Sequence, residues 1–253
     1  MNWKGKKTDE NCVKVAVLAD IHGNLEAFEA VSVDLRRQGA ERVICLGDNI
    51  GYGPDPDEVV RRLRQLGYVS VLGNHEFALM DERGRRWLNF QAAENNIETE
   101  KLLSDENKDY CCKLPQFITC KNAHFVHGFP PDSVFRYLER QSDEKIAALF
   151  GSTLPTLFFI GHTHRLELVT GHKGVITRRD LGQETVVFEP DKKYIINCGS
   201  VGQPRDGDTR AKYFLWDSEK QQIEVRFIDY DKAATIKKIR DRGFPEAYAM
   251  RLG

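Results

Sequence analysis

Carboxylate, amide and imidazole side chains recur in this sequence directly after short apolar segments. The residues in question are Asp20, His22, Asp48, Asn74, His127, His162 and His164. Residues i and i+2 of an extended segment point to the same side, so Asp20 and His22 can face one centre together. The same spacing relates His162 to His164. Because these side-chain types are ligands of transition-metal ions, the pattern predicts a metal site.

Each of these blocks also has a simpler interpretation. An Asp-x-His pair at a strand end commonly caps a turn, and Gly-Asp-Asn at 47–49 is first of all a turn sequence. Gly-His-Thr-His at 161–164 indicates metal binding more specifically, because two imidazole side chains this close together after an apolar strand require a functional reason. Five blocks together favour a metal or catalytic site over coincidence. The remaining histidines have other roles: His124 is predicted to be packed or solvated, and His172 to lie in a turn.

The segments before the first three blocks alternate between strand and helix. Apolar runs predict strands over 13–19, 42–46 and 69–72. Helical spacing of apolar residues, with start signals at Asn24 and Pro56, predicts the two helices between them. This β-α-β-α-β order implies parallel strands. All five blocks stand at the carboxyl ends of predicted strands, and in an open α/β sheet that edge is where ligands bind.

The rest of the chain changes character. Residues 85–110 read as helical, and a last helix is predicted over 232–242. Short strands are predicted over 123–127, 157–160, 166–170, 185–188, 194–198, 212–217 and 222–230. No low-complexity linker or internal repeat interrupts the sequence. We therefore predict one domain over 1–253, with a flexible N-terminus over 1–11 and a helical insertion over 85–110.

Composition limits the classes of function. Of 253 residues, 41% are hydrophobic and 30% are charged, which is typical of a globular chain. The net charge of −1 shows no excess of basic residues, so a nucleic-acid partner is disfavoured. No apolar run approaches the roughly 20 residues that span a bilayer, and the polar start lacks a secretion signal. With six cysteines and no C-x-x-C pair, these features predict a soluble cytoplasmic protein with reduced thiols.

The ordered blocks resemble those of the calcineurin-like metallophosphoesterases. The matching blocks are Asp20-x-His22, Gly47-Asp48, Gly73-Asn74-His75-Glu76, His127-Gly128 and Gly161-His162-x-His164. The resemblance spans about residues 13–217, and the stretches at 51–56 and 197–206 resemble a compact bacterial and archaeal phosphodiesterase-like branch. It implies an α/β fold in which two mixed sheets pack as a sandwich flanked by helices, in four layers (αββα).

The resemblance also implies a role for each matched residue. Two divalent transition-metal ions are expected, with Mn favoured and Fe, Zn, Co or Ni as alternatives. One ion would be held by Asp20, His22 and His164, and the other by Asn74, His127 and His162, with Asp48 bridging both. His75 would lie in the pocket without binding metal.

One position departs from the protein Ser/Thr phosphatases of this superfamily. They carry a further aspartate three residues after the bridging one, followed by arginine, whereas this chain has Gly51 and Tyr52. The aspartate that would orient His75 is therefore missing. Glu76 matches those enzymes but does not restore the motif, so a protein-phosphatase function is disfavoured.

These residues predict a hydrolase of phosphate esters, either a phosphodiesterase or a small-molecule phosphatase, that acts on a small or nucleotide-type substrate. Two cations about 3.5–4 Å apart supply a bridging hydroxide at neutral pH and offset charge in the in-line transition state. His75 would be the general acid. Arg205 could hold a phosphate oxygen, with a solvated loop arginine as the equal alternative. An inactive scaffold of the same fold remains a further alternative, and the oligomeric state stays open.

Overall fold

The computed structural model describes residues 6–7, 13–80 and 82–253. Most of the N-terminal segment predicted to be flexible (1–11), together with Cys12, lies outside these residues. No disulfide joins the cysteines at 45, 111, 112, 120 and 198, which are the ones within the described chain.

The described strands form two sheets. In chain order they are β1 (Lys6–Lys7), β2 (Lys14–Leu18), β3 (Arg42–Cys45), β4 (Val69–Ser70), β5 (Phe117–Cys120), β6 (Ala123–Val126), β7 (Leu157–Ile160), β8 (Leu166–His172), β9 (Val175–Asp180), β10 (Thr185–Val187), β11 (Lys193–Cys198), β12 (Ala211–Asp217) and β13 (Gln222–Ile228). Seven strands form one sheet in the order β1-β5-β6-β7-β11-β8-β9. The other six form a second sheet in the order β10-β13-β12-β2-β3-β4. Both sheets mix parallel and antiparallel pairs, as predicted.

Helices cover the sheets and connect their strands. They are α1 (Leu25–Arg37), α2 (Pro56–Gln65), α3 (Asn74–Phe77), α4 (Glu82–Arg85), α5 (Phe90–Leu102), α6 (Asp105–Cys112), α7 (Asp143–Ser152), α8 (Lys232–Asp241) and α9 (Glu246–Met250). Across the described ranges, none of them combines the length and the apolar character that crossing a bilayer requires.

The first part of the six-stranded sheet folds as its sequence predicts. Asn24 caps α1 by accepting a hydrogen bond from the backbone N–H of Ala27 (3.1 Å). Strands β2, β3 and β4 are parallel neighbours, with Leu18 opposite Cys45 and Cys45 opposite Ser70. The segments that follow these strands therefore leave the sheet side by side.

The main core lies between the two sheets. Val15 and Val17 of β2 face this core, whereas the alternate residues of the strand pack against α1. From the other sheet, Phe125 and Phe159 meet Trp216 at ring-centroid distances of 6.0 and 5.7 Å. This packing confirms the predicted sandwich of two sheets.

The arrangement of the five strand ends differs from the sequence-based prediction of one sheet edge. Strands β2, β3 and β4 belong to the six-stranded sheet, but β6 and β7 belong to the seven-stranded sheet. The two groups of ends meet because the sheets pack face to face. One direct link is the backbone N–H of His162, which donates to Oδ2 of Asp20 (2.9 Å).

Candidate functional site

The structure brings all seven predicted ligand residues together where the ends of the two sheets meet. Their side chains are buried, each at most 5% exposed. They come from the segments after β2, β3, β4, β6 and β7. Residues separated by more than 140 positions thus share one site, as the 3.0 Å contact between Nε2 of His22 and Nε2 of His164 shows.

The first ligand group consists of Asp20, His22 and His164. One ligand atom from each lies within 4.8 Å of the others. Oδ1 of Asp20 is 3.4 Å from Nε2 of His164 and 3.8 Å from Nε2 of His22. This oxygen is buried and has no hydrogen-bond partner. A buried carboxylate oxygen without a partner is costly, and a cation among these three atoms would satisfy it. The group therefore fits a metal ion.

The second ligand group consists of Asp48, His127 and His162, again with ligand atoms within 4.8 Å of one another. Nε2 of His127 lies 3.0 Å from Nδ1 of His162 and 2.9 Å from Oδ1 of Asn74. Two imidazole nitrogens and one amide oxygen thus lie close together beside the carboxylate of Asp48. This donor set suits a transition-metal ion.

Asp48 lies between the two groups. Its Oδ2 is 3.8 Å from Nε2 of His22 and 3.4 Å from Nε2 of His127. Its Oδ1 accepts a hydrogen bond from the backbone N–H of His75 (2.8 Å), which fixes the carboxylate plane. Oδ2 of Asp48 is thus within 4 Å of a histidine from each of the two groups.

The backbone fixes which nitrogen of each imidazole faces the centre. In every ligand histidine, the ring nitrogen that points away from the other ligands contacts a carbonyl oxygen, to which its N–H donates. The pairs are His22 Nδ1 with Ile50 (2.9 Å), His127 Nδ1 with Leu46 (2.8 Å), His164 Nδ1 with Gln203 (2.6 Å) and His162 Nε2 with Phe135 (3.3 Å). Such contacts orient metal-binding histidines and raise their basicity.

Burial controls the protonation of these histidines. It lowers the pKa of His22 and His164, and the pKa of His162 falls to about 3. These rings are therefore neutral at pH 7, which is the form that binds metal. His127 differs: burial lowers its pKa, but the charge of Asp48 opposes this and raises it to about 9.

The ligands occupy an unusual backbone conformation. Five of them have positive φ angles: Asp20 (53°), His22 (49°), Asp48 (51°), His162 (72°) and His164 (60°). Residues with a Cβ rarely adopt this left-handed region, and such strain concentrates at functional sites. The backbone thus turns sharply after each of these strands, at the place where the ends of the two sheets meet.

Glu76 connects the loops after β3 and β4. Its buried carboxylate accepts hydrogen bonds from the backbone N–H groups of Asp48 (2.9 Å), Asn49 (2.7 Å) and Gly73 (3.1 Å). The loops approach so closely that a Cβ on Gly73 would lie 2.2 Å from the backbone nitrogen of Asp48. Sequence reasoning noted Glu76 only as a family match and missed this role.

Removing the Glu76 carboxylate is expected to destabilise the fold. In Glu76→Ala, three buried N–H groups lose their acceptor, and each loss should lower the free energy of unfolding by about 1–3 kcal/mol. Glu76→Gln restores only part of them, because its amide oxygen replaces one carboxylate oxygen and its N–H₂ would face N–H donors at the other. Urea unfolding of the metal-free protein measures the effect without a contribution from metal binding. The exposed Glu82 is the control: Glu82→Ala should change stability little, and equal stability of all these variants would contradict the assigned role.

His75 lies beside both groups, because one of its ring nitrogens is within 4.8 Å of ligand atoms of His22 and Asp48. Its ring is 4.7 Å from the ring of Tyr52 and 5.0 Å from that of His22. Its Nδ1 is buried and has no hydrogen-bond partner. A Cβ on Gly51 would lie 2.3 Å from this nitrogen, so only glycine fits beside the ring. The structure thus agrees that no aspartate at this position orients His75.

Arg205 and Tyr137 border the site. The backbone N–H of Arg205 donates to the carbonyl of His164 (3.0 Å), and its guanidinium lies 5.8 Å from the centre of the Tyr52 ring. Its Nε is buried without a partner. The side chain of Arg205 is therefore packed at the site and is not a freely solvated loop arginine. Tyr137 stacks on His162 with ring centres 3.9 Å apart, a neighbour that no sequence signal indicated.

The two remaining histidines lie outside the site. His124 is buried and stacks on Phe117, and its Nε2 contacts the carbonyl oxygen of Pro131 (2.5 Å). It is therefore packed, which is one of the two alternatives predicted for it. His172 was predicted to lie in a turn, but it is the last residue of β8 and pairs with Val175. The turn itself consists of the next two residues, because Gly174 has positive φ.

Comparisons with known proteins identify the family and agree with the fold. A sequence model of a family described as calcineurin-like phosphoesterase matches residues 13–166. An uncharacterized protein of Methanocaldococcus jannaschii is 34% identical over 243 residues, which cover 94% of this chain and 96% of that protein. The crystal structure of a metallophosphoesterase from Sphaerobacter thermophilus has a TM-score of 0.81 at 31% identity, covering 96% of this chain and 98% of that one. A hypothetical protein from Pyrococcus horikoshii has the same fold, with a TM-score of 0.75 at 20% identity over 94% and 97% of the two chains.

Proposed function

The chain belongs to the calcineurin-like phosphoesterase family, and we propose that it is a hydrolase of small phosphate esters with two divalent transition-metal ions. The observation that carries this proposal is the pair of buried ligand groups on either side of Oδ2 of Asp48. Asp20, His22 and His164 would hold one ion. The other would be held by Asn74, His127 and His162, with Asp48 shared.

When bound, the two ions would supply a water of lowered pKa as nucleophile and positive charge for the phosphate oxygens. The residues of the chain position this chemistry. Burial excludes bulk water from the ligands, and the carbonyl contacts of the imidazoles hold them in place before substrate binds. The guanidinium of Arg205 would hold a phosphate oxygen of the substrate.

His75 would donate the proton to the leaving oxygen. Its imidazole is in the site, close to the rings of His22 and Tyr52, yet its Nδ1 has no partner in the protein. Burial lowers the pKa of His75, and the charge of Asp48 opposes this shift. The negative charge of a bound phosphate would favour the protonated ring further, and that proton would pass to the developing alkoxide. A scaffold protein would have no use for such a buried, unpaired nitrogen, whose desolvation costs stability. This favours an enzyme over an inactive scaffold.

Activity is expected to depend on metal and to be higher with Mn than with Mg, because four imidazoles contribute to the ligand set. The test is a screen of p-nitrophenyl monoesters and diesters, cyclic nucleotides and dinucleotide polyphosphates. EDTA-treated protein should be inactive, and Mn should restore its activity. Turnover that survives EDTA treatment, or a full rate with Mg alone, would exclude this mechanism.

A further inference from the structure

The C-terminal helices close one side of the site. Tyr248 of α9 packs against Tyr52, with ring centres 5.1 Å apart. Ile239 of α8 and Leu252 line a small pocket together with His22 and Tyr52. This packing brings the end of α9, and with it Arg251, to the rim of the proposed metal site.

Two guanidinium groups converge there on one neutral oxygen. Nη2 of Arg205 donates to Oε1 of Gln203 (2.8 Å), and Nη1 of Arg251 approaches the same atom (3.4 Å). Gln203 is buried, at 3% exposure, and Nε of Arg205 is buried without a partner. Neither guanidinium forms an ion pair with any carboxylate of the described ranges.

Neighbouring arginines of the same segment behave differently. Arg240 forms an ion pair with Glu246 (2.5 Å), and Arg242 lies 3.6 Å from a carboxylate oxygen of Asp55. Arg240 and Arg242 thus each have a carboxylate partner within 4 Å, whereas Arg205 and Arg251 share the neutral oxygen of Gln203. Like charges that share an acceptor repel each other, and this repulsion would increase beside two divalent cations. An anion between the two guanidiniums would remove it.

Phosphate is the anion that this geometry fits, because the planar fork of arginine pairs with phosphate oxygens in two parallel hydrogen bonds. The phosphoryl group that reacts would lie at the ligand groups of Asp20 and Asp48. Arg205 is next to them, since its backbone bonds to His164, whereas Arg251 contacts the Gln203 oxygen that accepts from the Arg205 guanidinium. The two arginines would therefore meet a second phosphoryl group of the same substrate.

We propose that Arg251 and Arg205 bind a phosphoryl group that is not hydrolysed, so that the preferred substrates contain a diphosphate or polyphosphate chain. This inference rests on the proposed function for the reaction itself. It assigns to Arg251 a role in specificity, expressed as tighter binding of compounds with two adjacent phosphoryl groups than of compounds with one.

The test compares two inhibitors of p-nitrophenyl phosphate hydrolysis in excess Mn: orthophosphate, and imidodiphosphate, which has two phosphoryl groups and a bridge that resists hydrolysis. For the unchanged protein, imidodiphosphate should have the lower inhibition constant. Arg251→Gln should raise that constant about tenfold, as expected for one charge-assisted hydrogen bond, and change that of orthophosphate less than about twofold. Chelation of Mn by imidodiphosphate is the same for every variant and cancels in the comparison.

Arg240→Gln is the matched control, since it removes an arginine from the same segment that is already paired with Glu246. It should leave both constants unchanged. Equal changes for both inhibitors in Arg251→Gln, no change at all, or the same change in Arg240→Gln would each overturn the proposal. If the unchanged protein hydrolyses no ester with any metal, the proposed function fails. Calorimetric titration of imidodiphosphate into the same three proteins then still decides whether Arg251 binds it.

Discussion

Replacing His75 with alanine is expected to slow the hydrolysis of alkyl or nucleoside phosphate esters about 10²–10⁴-fold, the usual contribution of a positioned general acid. The metal content should not change, because Oδ1 of Asn74 and not the His75 ring points to the second ligand group. Steady-state rates and elemental analysis of the same preparation measure both quantities.

The loss should depend on the leaving group. An alkoxide is a strong base and needs a proton as it departs, whereas p-nitrophenolate is a weak base and needs one less. His75→Ala should therefore reduce the rate for alkyl esters more than the rate for p-nitrophenyl esters.

The control for His75→Ala is His172→Ala, which removes a histidine outside the site and should leave both rates unchanged. Equal losses for alkyl and p-nitrophenyl esters would indicate that His75 binds phosphate instead of donating a proton. A loss of metal from His75→Ala would show that it is a ligand, as its position beside His22 and Asp48 permits.

Replacing Asp48 with asparagine is expected to weaken both metal sites together. Oδ2 of Asp48 lies between Nε2 of His22 and Nε2 of His127, so one substitution removes a negative charge from both ligand groups. Loss of an outer-shell partner alone lowers metal affinity about 10–100-fold, and loss of a shared ligand should lower it at least as much. Calorimetric titration with Mn, beside elemental analysis, measures the affinity and number of sites.

Two other variants make this measurement specific. His164→Ala should empty mainly the site of Asp20 and His22 and leave the second occupied. Asp109→Asn changes a surface carboxylate paired with Lys113 and should keep two ions bound with unchanged affinity. One ion per chain in the unchanged protein, or selective loss of a single ion in Asp48→Asn, would refute the shared role of Asp48.

The parts of the fold that the sequence predicts well are those whose signals are local. The apolar run of β2, the Asn24 cap and the helical spacing of α1 involve neighbouring residues, and the structure has these elements within one or two residues of the predicted bounds. The spacing of Asp20 with His22, and of His162 with His164, is local in the same sense. For this reason the seven candidate ligands can be predicted from the sequence alone, and the structure brings them together.

The features that the sequence analysis does not predict depend on distant contacts or on weak sequence patterns. Strand β9 is largely exposed and pairs only with β8 among the described strands, so its sequence lacks the apolar alternation of a half-buried strand. Strand β5 has four residues, too few to establish a period. Helix α7 did carry a start signal, the Ser142 cap, which was overlooked. Tyr137 and Arg251 join the site only through packing, and nothing near them in sequence indicates it.

The left-handed backbone at five of the candidate ligand positions has a consequence for stability. At such positions glycine is free of the steric conflict that a Cβ creates, which costs about 1–2 kcal/mol per residue in a left-handed helical conformation. Small proteins are stable by only about 5–15 kcal/mol, so five such positions are a substantial load on the fold. A glycine at any one of them would relieve part of that strain while removing a candidate ligand, so that a gain in stability there would come with a loss of metal binding.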